Sequence, residues 1–233
     1  MHEAYASRSH RRILYQAAGE VRMMPTQCLA AETLKAAPAS SLKVLDLHYG
    51  YMMIADFMRD EARSMPVHPT PSDVTALRVW HCKYKSLESL STFTNLKTLV
   101  IATYPDADLT PLHGLSRLEY LRVMHMPKVS DLGPLGQLQK LKTIRLSTLP
   151  SWDSSGKKTI VHSLAPLTGL PHLAHLELFG VLPEDGKLNV LENCQSLESI
   201  RVSKYRKSEI ERIYQLTEVT NSFAPPPGVD AWS

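Results

Sequence analysis

Leucine, with isoleucine or valine in its place at some positions, recurs in the spacing L-x-x-L-x-L seven times along the chain: Leu42/Leu45/Leu47, Val74/Leu77/Val79, Leu96/Leu99/Ile101, Leu118/Leu121/Val123, Leu141/Ile144/Leu146, Leu173/Leu176/Leu178 and Leu197/Ile200/Val202. Successive units start 32, 22, 22, 23, 32 and 24 residues apart. The L-x-L end of each alternates with period two, as a strand that buries one face requires. A second apolar triplet precedes the last five strands at offsets of nine, six and three residues: Leu87/Leu90/Phe93, Leu109/Leu112/Leu115, Leu132/Leu135/Leu138, Leu164/Leu167/Leu170 and Leu188/Leu191/Cys194. A spacing of three suits a short 3₁₀ or α turn that packs its apolar edge inward. The two patterns keep one phase, so each unit predicts a strand, a loop, a helical turn and a loop.

One such unit cannot enclose its own apolar edge, but a stack of them buries the leucines in a column between the strand side and the turn side. With strands about 4.8 Å apart, the stack makes a parallel sheet on the order of 30 Å long. The predicted solenoid runs over residues 42–205. Residues 1–41 carry no clean repeat, yet RRILYQAAGEV and LAAETLKAA look helical and predict an N-terminal helical cap. Residues 206–233 predict a capping helix, SEIERIYQLTEV, with Ser208 as N-cap and Glu211 completing a capping box, followed by a flexible tail, FAPPPGVDAWS. The two intervals of 32 residues exceed the basic unit by 10 and mark insertions near 51–73 and 151–160. In the first, MMIADFMRDEARSM spaces Met53, Phe57 and Met58 helically and predicts a longer convex helix. The second, SWDSSGKKTI, is polar and predicts a loop projecting after the fifth strand. Two readings of it stand: a tolerated insertion, or a grip on a partner with Trp152 as its anchor.

DLTPLHGL at 108–115, DLGPLGQL at 131–138 and SLAPLTGL at 163–170 resemble the D-L-x-P-L-x-x-L segment of short, internalin-like bacterial leucine-rich repeats. The resemblance implies an α/β solenoid, a horseshoe with about seven parallel strands on its concave face and short helical turns on its convex face. It specifies fold far more than function, because such repeats carry many unrelated binding roles. One departure matters. Where many relatives place Asn three residues beyond the last strand leucine, this chain has Gly50, Cys82, Tyr104, Met126, Leu149, Val181 and Tyr205, so the loop backbones need other hydrogen-bond partners.

Composition narrows the function classes. At 43% hydrophobic and 21% charged, the make-up is that of an ordinary soluble protein. A net charge of +3 with no long basic run gives no reason to expect nucleic acid or an anionic membrane. Cys28, Cys82 and Cys194 are far apart and lack CxxC spacing, which predicts neither a disulfide framework nor a zinc site and points to a reducing cytoplasm. The N-terminus has no apolar core behind its basic residues and no run of about 18 apolar residues occurs, so neither secretion nor a membrane span is expected. No G-x-S-x-G, H-E-x-x-H, P-loop or G-x-G-x-x-G motif is present, so the expectation is a non-enzyme without a cofactor. His48, His81 and His125 fall near the concave rim, but strands two apart are separated by about 9.6 Å while zinc ligands lie about 2.1 Å from the ion, so no metal site is expected. Asp106, Asp108 and Asp131 read as turn or cap residues, and Cys82 and Cys194 as small core hydrophobes.

The candidate chemistry lies on the strands. Side chains alternate, so the residues between and beside the leucines form outward columns. The column inside each L-x-L reads Asp46, Arg78, Val100, Arg122, Arg145, Glu177 and Arg201; the column after it reads His48, Trp80, Ala102, Met124, Ser147, Phe179 and Ser203. The column before the second leucine reads Val44, Ala76, Thr98, Tyr120, Thr143, His175 and Ser199. Arginine beside Trp80, Tyr120, Met124 and Phe179 is the composition of protein interfaces. A plainer account also fits: aromatics favour strands, and Asp46 or Glu177 pairs with an arginine one rung away. The arginines would suit phosphate too, but no RNA-binding signature accompanies them.

The expectation is therefore a non-catalytic module, monomeric when unbound, that recognises another protein through Arg78, Trp80, Tyr120, Arg122, Met124, Arg145, Trp152, Glu177, Phe179 and Arg201. An inhibitor such as a bacterial antitoxin or immunity protein is the leading form, which the internalin-like repeats suggest by analogy. The alternative is a regulatory or adaptor subunit of an enzyme such as a phosphatase.

Overall fold

Backbone hydrogen bonds between rungs, rather than within them, order this chain. The computed structural model describes residues 47–49, 52–229 and 232; the expected cap over 1–41 and the positions Leu42 and Leu45 lie outside the described residues. The strands are β1 (Leu47–Tyr49), β2 (Met52–Met58), β3 (Val74–Trp80), β4 (Thr98–Ala102), β5 (Tyr120–Met124), β6 (Thr143–Ser147), β7 (Thr159–Val161), β8 (His175–Phe179), β9 (Val181–Pro183) and β10 (Ser199–Ser203). One sheet runs β1-β2-β3-β4-β5-β6-β8-β10, and β7 pairs with β9 in a second. From β2 onward the large sheet is parallel; β1 joins its edge antiparallel.

Behind the sheet, 3₁₀ turns at Glu88–Thr92, Thr110–Leu112, Gly133–Gln137, Ala165–Gly169 and Asn189–Asn193 fall on the predicted triplets. The D-L-x-P-L motif has a physical explanation here. Asp108 and Asp131 accept the N–H two residues on, from Thr110 and Gly133, each at 2.8 Å, and Ser163 does the same for Ala165 at 3.0 Å. Pro111, Pro134 and Pro166 sit in the first turn, where a fixed φ helps and a missing N–H costs nothing. The leucines of both patterns form one continuous buried cluster. This architecture is a leucine-rich-repeat solenoid.

Where Asn is missing from the loops, other groups take over. The Cys82 thiol donates to the Phe57 carbonyl at 3.3 Å, the Tyr104 hydroxyl to the Asp108 carbonyl at 2.9 Å and the Tyr205 hydroxyl to the Val181 carbonyl at 3.0 Å. Just past the strands, Arg59, His81, Thr103, His125, Gly180 and Lys204 all adopt positive φ, between 50° and 71°. Each turns the chain out of the sheet at the same place in the repeat.

Three expectations change. The segment over 51–73 is no insertion and no helix. Ala55 and Phe57 pair with Leu77 and Val79, so the first parallel rung begins here, 22 residues before the next. Met65 and His68, at the expected offsets of nine and six residues before Val74, are buried as the turn residues of that rung. The helical spacing of Met53, Phe57 and Met58 yields to a strand whose sides alternate: Ala55 and Phe57 go into the core, while Ile54, Asp56 and Met58, the last 50% exposed, lie on the other face. A helix there would leave the β3 edge unpaired. Second, the extra residues near 151–160 fold into a helical turn α1 (Pro150–Ser154) and β7 rather than a free loop. Third, helix α2 (Lys207–Leu216) starts at an N-cap of Arg206, not Ser208, with no side-chain cap. Glu209 instead reaches back one rung to accept the Leu188 N–H at 2.6 Å and pairs with Arg212 at 2.7 Å. Those hydrogen bonds, the Arg212 pair first, hold its carboxyl below the usual range.

Candidate functional site

The sheet face opposite the 3₁₀ turns carries the three predicted columns, and strict register across β3 to β10 aligns them. The first place in each column, expected at Asp46, His48 and Val44, belongs to Asp56, Met58 and Ile54 of β2. Asp56 was missed because the register was started one hairpin too early; counting 22 residues back from Arg78 finds it.

Charge on the central column is partly settled within the sheet. Arg78 donates twice to Asp56, at 2.9 and 2.5 Å. Arg145 donates to Glu177 at 2.7 Å and to the Tyr120 hydroxyl at 3.2 Å. Burial pulls the Arg145 pKa down, but Tyr120 and Glu177 outweigh it and raise it. Arg122 lies between Val100 and Arg145. Burial first, then the like charge of Arg145, lowers its pKa. Among the described residues neither Arg122 nor Arg201 has a hydrogen bond or ion pair, but Arg201 is stacked on Phe179 and Phe223, so Arg122 is the column's guanidinium without a side-chain partner. Trp80, Met124 and Phe179 are half-buried in the adjacent column. Trp80 lies 5.8 Å from the Arg78 guanidinium, and Phe179 lies 6.0 Å from that of Arg201.

Trp152 does not project. It stands edge-on to His125 with centroids 4.6 Å apart, and Lys204 holds the same turn through Asp153 at 3.2 Å. This places Trp152 at the rim where the strands end. Desolvation lowers the His125 pKa.

The expected flexible tail is instead laid on this face. Thr220 extends the sheet by one bridge beside β10, with its N–H on the Glu198 carbonyl at 2.8 Å and its carbonyl on the Ile200 N–H at 3.0 Å. Phe223 stacks 3.4 Å from the Arg201 guanidinium, and the Ala224 N–H donates to Glu177 at 2.9 Å. Pro226, Pro227 and Gly228 pass Thr98, Tyr120 and Thr143. Val229 and Trp232 pack on Ile54 and Ala76, with Trp232 5.4 Å from the Arg78 guanidinium. Tyr120 and Glu177, expected to face solvent, are therefore only 6% and 2% exposed.

Among the described residues no group of three or more His, Cys, Asp or Glu is placed to hold a metal, and no helix is long and apolar enough to cross a membrane.

The fold and this face define a repeat protein of the leucine-rich class. No family model matches the chain, and no curated protein matches it in sequence. Among solved structures it is similar to an internalin C2 from Listeria monocytogenes, with TM-score 0.44 and 24% identity over 57% of this chain and 53% of that one. It is also similar to a plant peptide hormone receptor, RGFR1, in complex with RGF2, with TM-score 0.39 and 13% identity over 65% and 27%. An internalin (inlF) from Listeria monocytogenes aligns with TM-score 0.24 and 15% identity over 73% and 79%. The chain thus spans about half the length of the internalin C2, 53%.

Proposed function

We propose that this chain is a non-catalytic protein-binding module that recognises a partner on the face of its sheet opposite the 3₁₀ turns. The observation that carries the proposal is the unpaired, half-buried Arg122 set beside Trp80, Met124 and Phe179. A half-buried guanidinium without a partner, beside half-buried aromatics on a strand face, gains from a docked surface. In its finer form the module is an inhibitor of the antitoxin or immunity-protein kind, covering the working surface of its target. It acts in the cytoplasm, where Cys82 and Cys194, both free and with burial pushing their thiol pKa up, stay reduced.

Capture from native lysate tests it with three chains: wild type, Arg122→Glu with Trp80→Ala, and Lys140→Glu as a control on the exposed turn side. A captured protein should be lost from the double variant and kept by the control. Equal recovery by all three would overturn the assignment of the face.

A further inference from the structure

The segment from Phe223 to Val229 crosses the sheet from β10 to β2 and β3, and the Trp232 N–H turns back onto the Val229 carbonyl at 2.9 Å. Its sequence fits that path. Pro225, Pro226 and Pro227 hold an extended conformation without being tied into a ladder and have no N–H to leave unpaired against a sheet face. The flanking residues make specific contacts: Phe223 on Arg201, Ala224 on Glu177, Val229 and Trp232 on Ile54 and Ala76.

The seat is nevertheless incomplete. A cleft of about 590 Å³ opens between Pro226–Gly228 and the strand residues Thr98, Tyr120 and Thr143. The Trp232 indole N–H is buried with no acceptor, an unsatisfied donor in the seat. Arg122, two residues along β5 from Tyr120 at this cleft, has no hydrogen bond or ion pair among the described residues.

Resting on the binding-face reading above, we propose that Phe223–Val229 together with Trp232 form an intramolecular ligand, and that the partner docks by displacing them with an extended, proline-rich segment of its own. That segment carries an aromatic residue for Arg201, apolar residues for the Ile54–Ala76 site, and a carboxylate for Arg122. The intramolecular ligand supplies the first two and lacks the third, so the carboxylate gives the partner its advantage. Until then the crossing keeps Tyr120, Glu177 and the Ile54–Ala76 site covered.

The test uses a chain ending at Asn221 and a fluorescently labelled peptide of residues 221–233. The shortened chain should bind the peptide, and the intact chain should bind it at least about 10-fold more weakly, because the tethered copy competes at an effective concentration in the millimolar range. A peptide with Pro227→Glu should bind the shortened chain more tightly, and Arg122→Gln should remove that gain. If the shortened chain does not fold, the intact chain carrying Phe223→Ser and Val229→Ser takes its place, its sheet unaltered. Equal peptide affinity for the released and intact chains, or no binding by a folded released chain, would overturn the proposal. So would an intact chain that is dimeric by exchanging this segment. Should the peptide fail while capture still depends on Arg122 and Trp80, the binding face stands and only the intramolecular ligand falls.

Discussion

Gly180 shows why one residue type is required at a place where the repeat otherwise tolerates many. All six of the turn positions at positive φ leave the left-handed region's cost of about 1–2 kcal/mol to any residue but glycine, yet five are Arg, His, Thr, His and Lys. Those side chains have room. At Gly180, φ is 70° and a Cβ would meet the Thr148 Oγ1 at 2.5 Å and its Cγ2 at 3.1 Å. Thr148 follows β6, where the extra residues of α1 and β7 crowd the outgoing chain. Gly180→Ala should therefore cost about 3 kcal/mol, combining backbone strain with overpacking. Urea unfolding of the single variants and of Gly180→Ala with Thr148→Ala separates the two: a coupling of about 1 kcal/mol or more is expected. Strictly additive losses would mean that the clash carries none of the cost.

Helix α1 is an element whose anchorage depends on a neutral histidine. His125 packs its ring against Trp152 and its Nδ1 has no partner, and desolvation lowers its pKa from the ordinary value of about 6.5. The unfolded chain thus binds this proton more readily, so the contribution is fully present above about pH 6.5 and is lost as pH falls through the lowered folded value. In a chain with Trp80→Phe and Trp232→Phe, the emission of Trp152 should shift to the red on acidification from pH 7.5 to 5. His125→Phe should flatten that response, and a response unchanged by it would sink the account. Position 152 was visible in the sequence as a lone Trp in a polar stretch, but its seat was not, because His125 lies a rung away and carries no pattern linking the two. The same limit governed the larger elements. Strands and 3₁₀ turns from Val74 onward were legible because their leucines repeat in phase. Ala55 and Phe57 escaped because a small and an aromatic residue stand in for leucines, and the Leu42/Leu45/Leu47 spacing imitated a rung just upstream. Asp56, and with it the partner of Arg78, escaped for the same reason. Phe223 to Trp232 escaped because its prolines match the composition of disordered chain, while what fixes it is a row of contacts with β2, β3, β8 and β10 that no local pattern encodes.

The crossing segment also alters how the solenoid holds together as a whole. In a stack of repeats each rung touches only its neighbours, so terminal rungs fray independently and unfolding spreads along the array. Val229 and Trp232, reached through the chain that follows β10, pack on Ile54 and Ala76 of β2 and β3. That contact ties the two ends of the sheet and makes the first rungs depend on the last. Loss of the buried Val229 side chain and its neighbours removes about 2 kcal/mol from β2 and β3. The middle strands lose less, since the cleft beside Tyr120 and Thr143 already separates them from Pro226 and Pro227. Ending the chain at Asn221 should therefore speed amide exchange at Ala55, Phe57, Leu77 and Val79 by about 30-fold, while Leu121 and Ile144 change far less. The urea transition should broaden as the array loses its tie. Uniform acceleration across all strands, with the transition as sharp as before, would show that neighbouring rungs alone carry the cooperativity and that the crossing segment only covers the face.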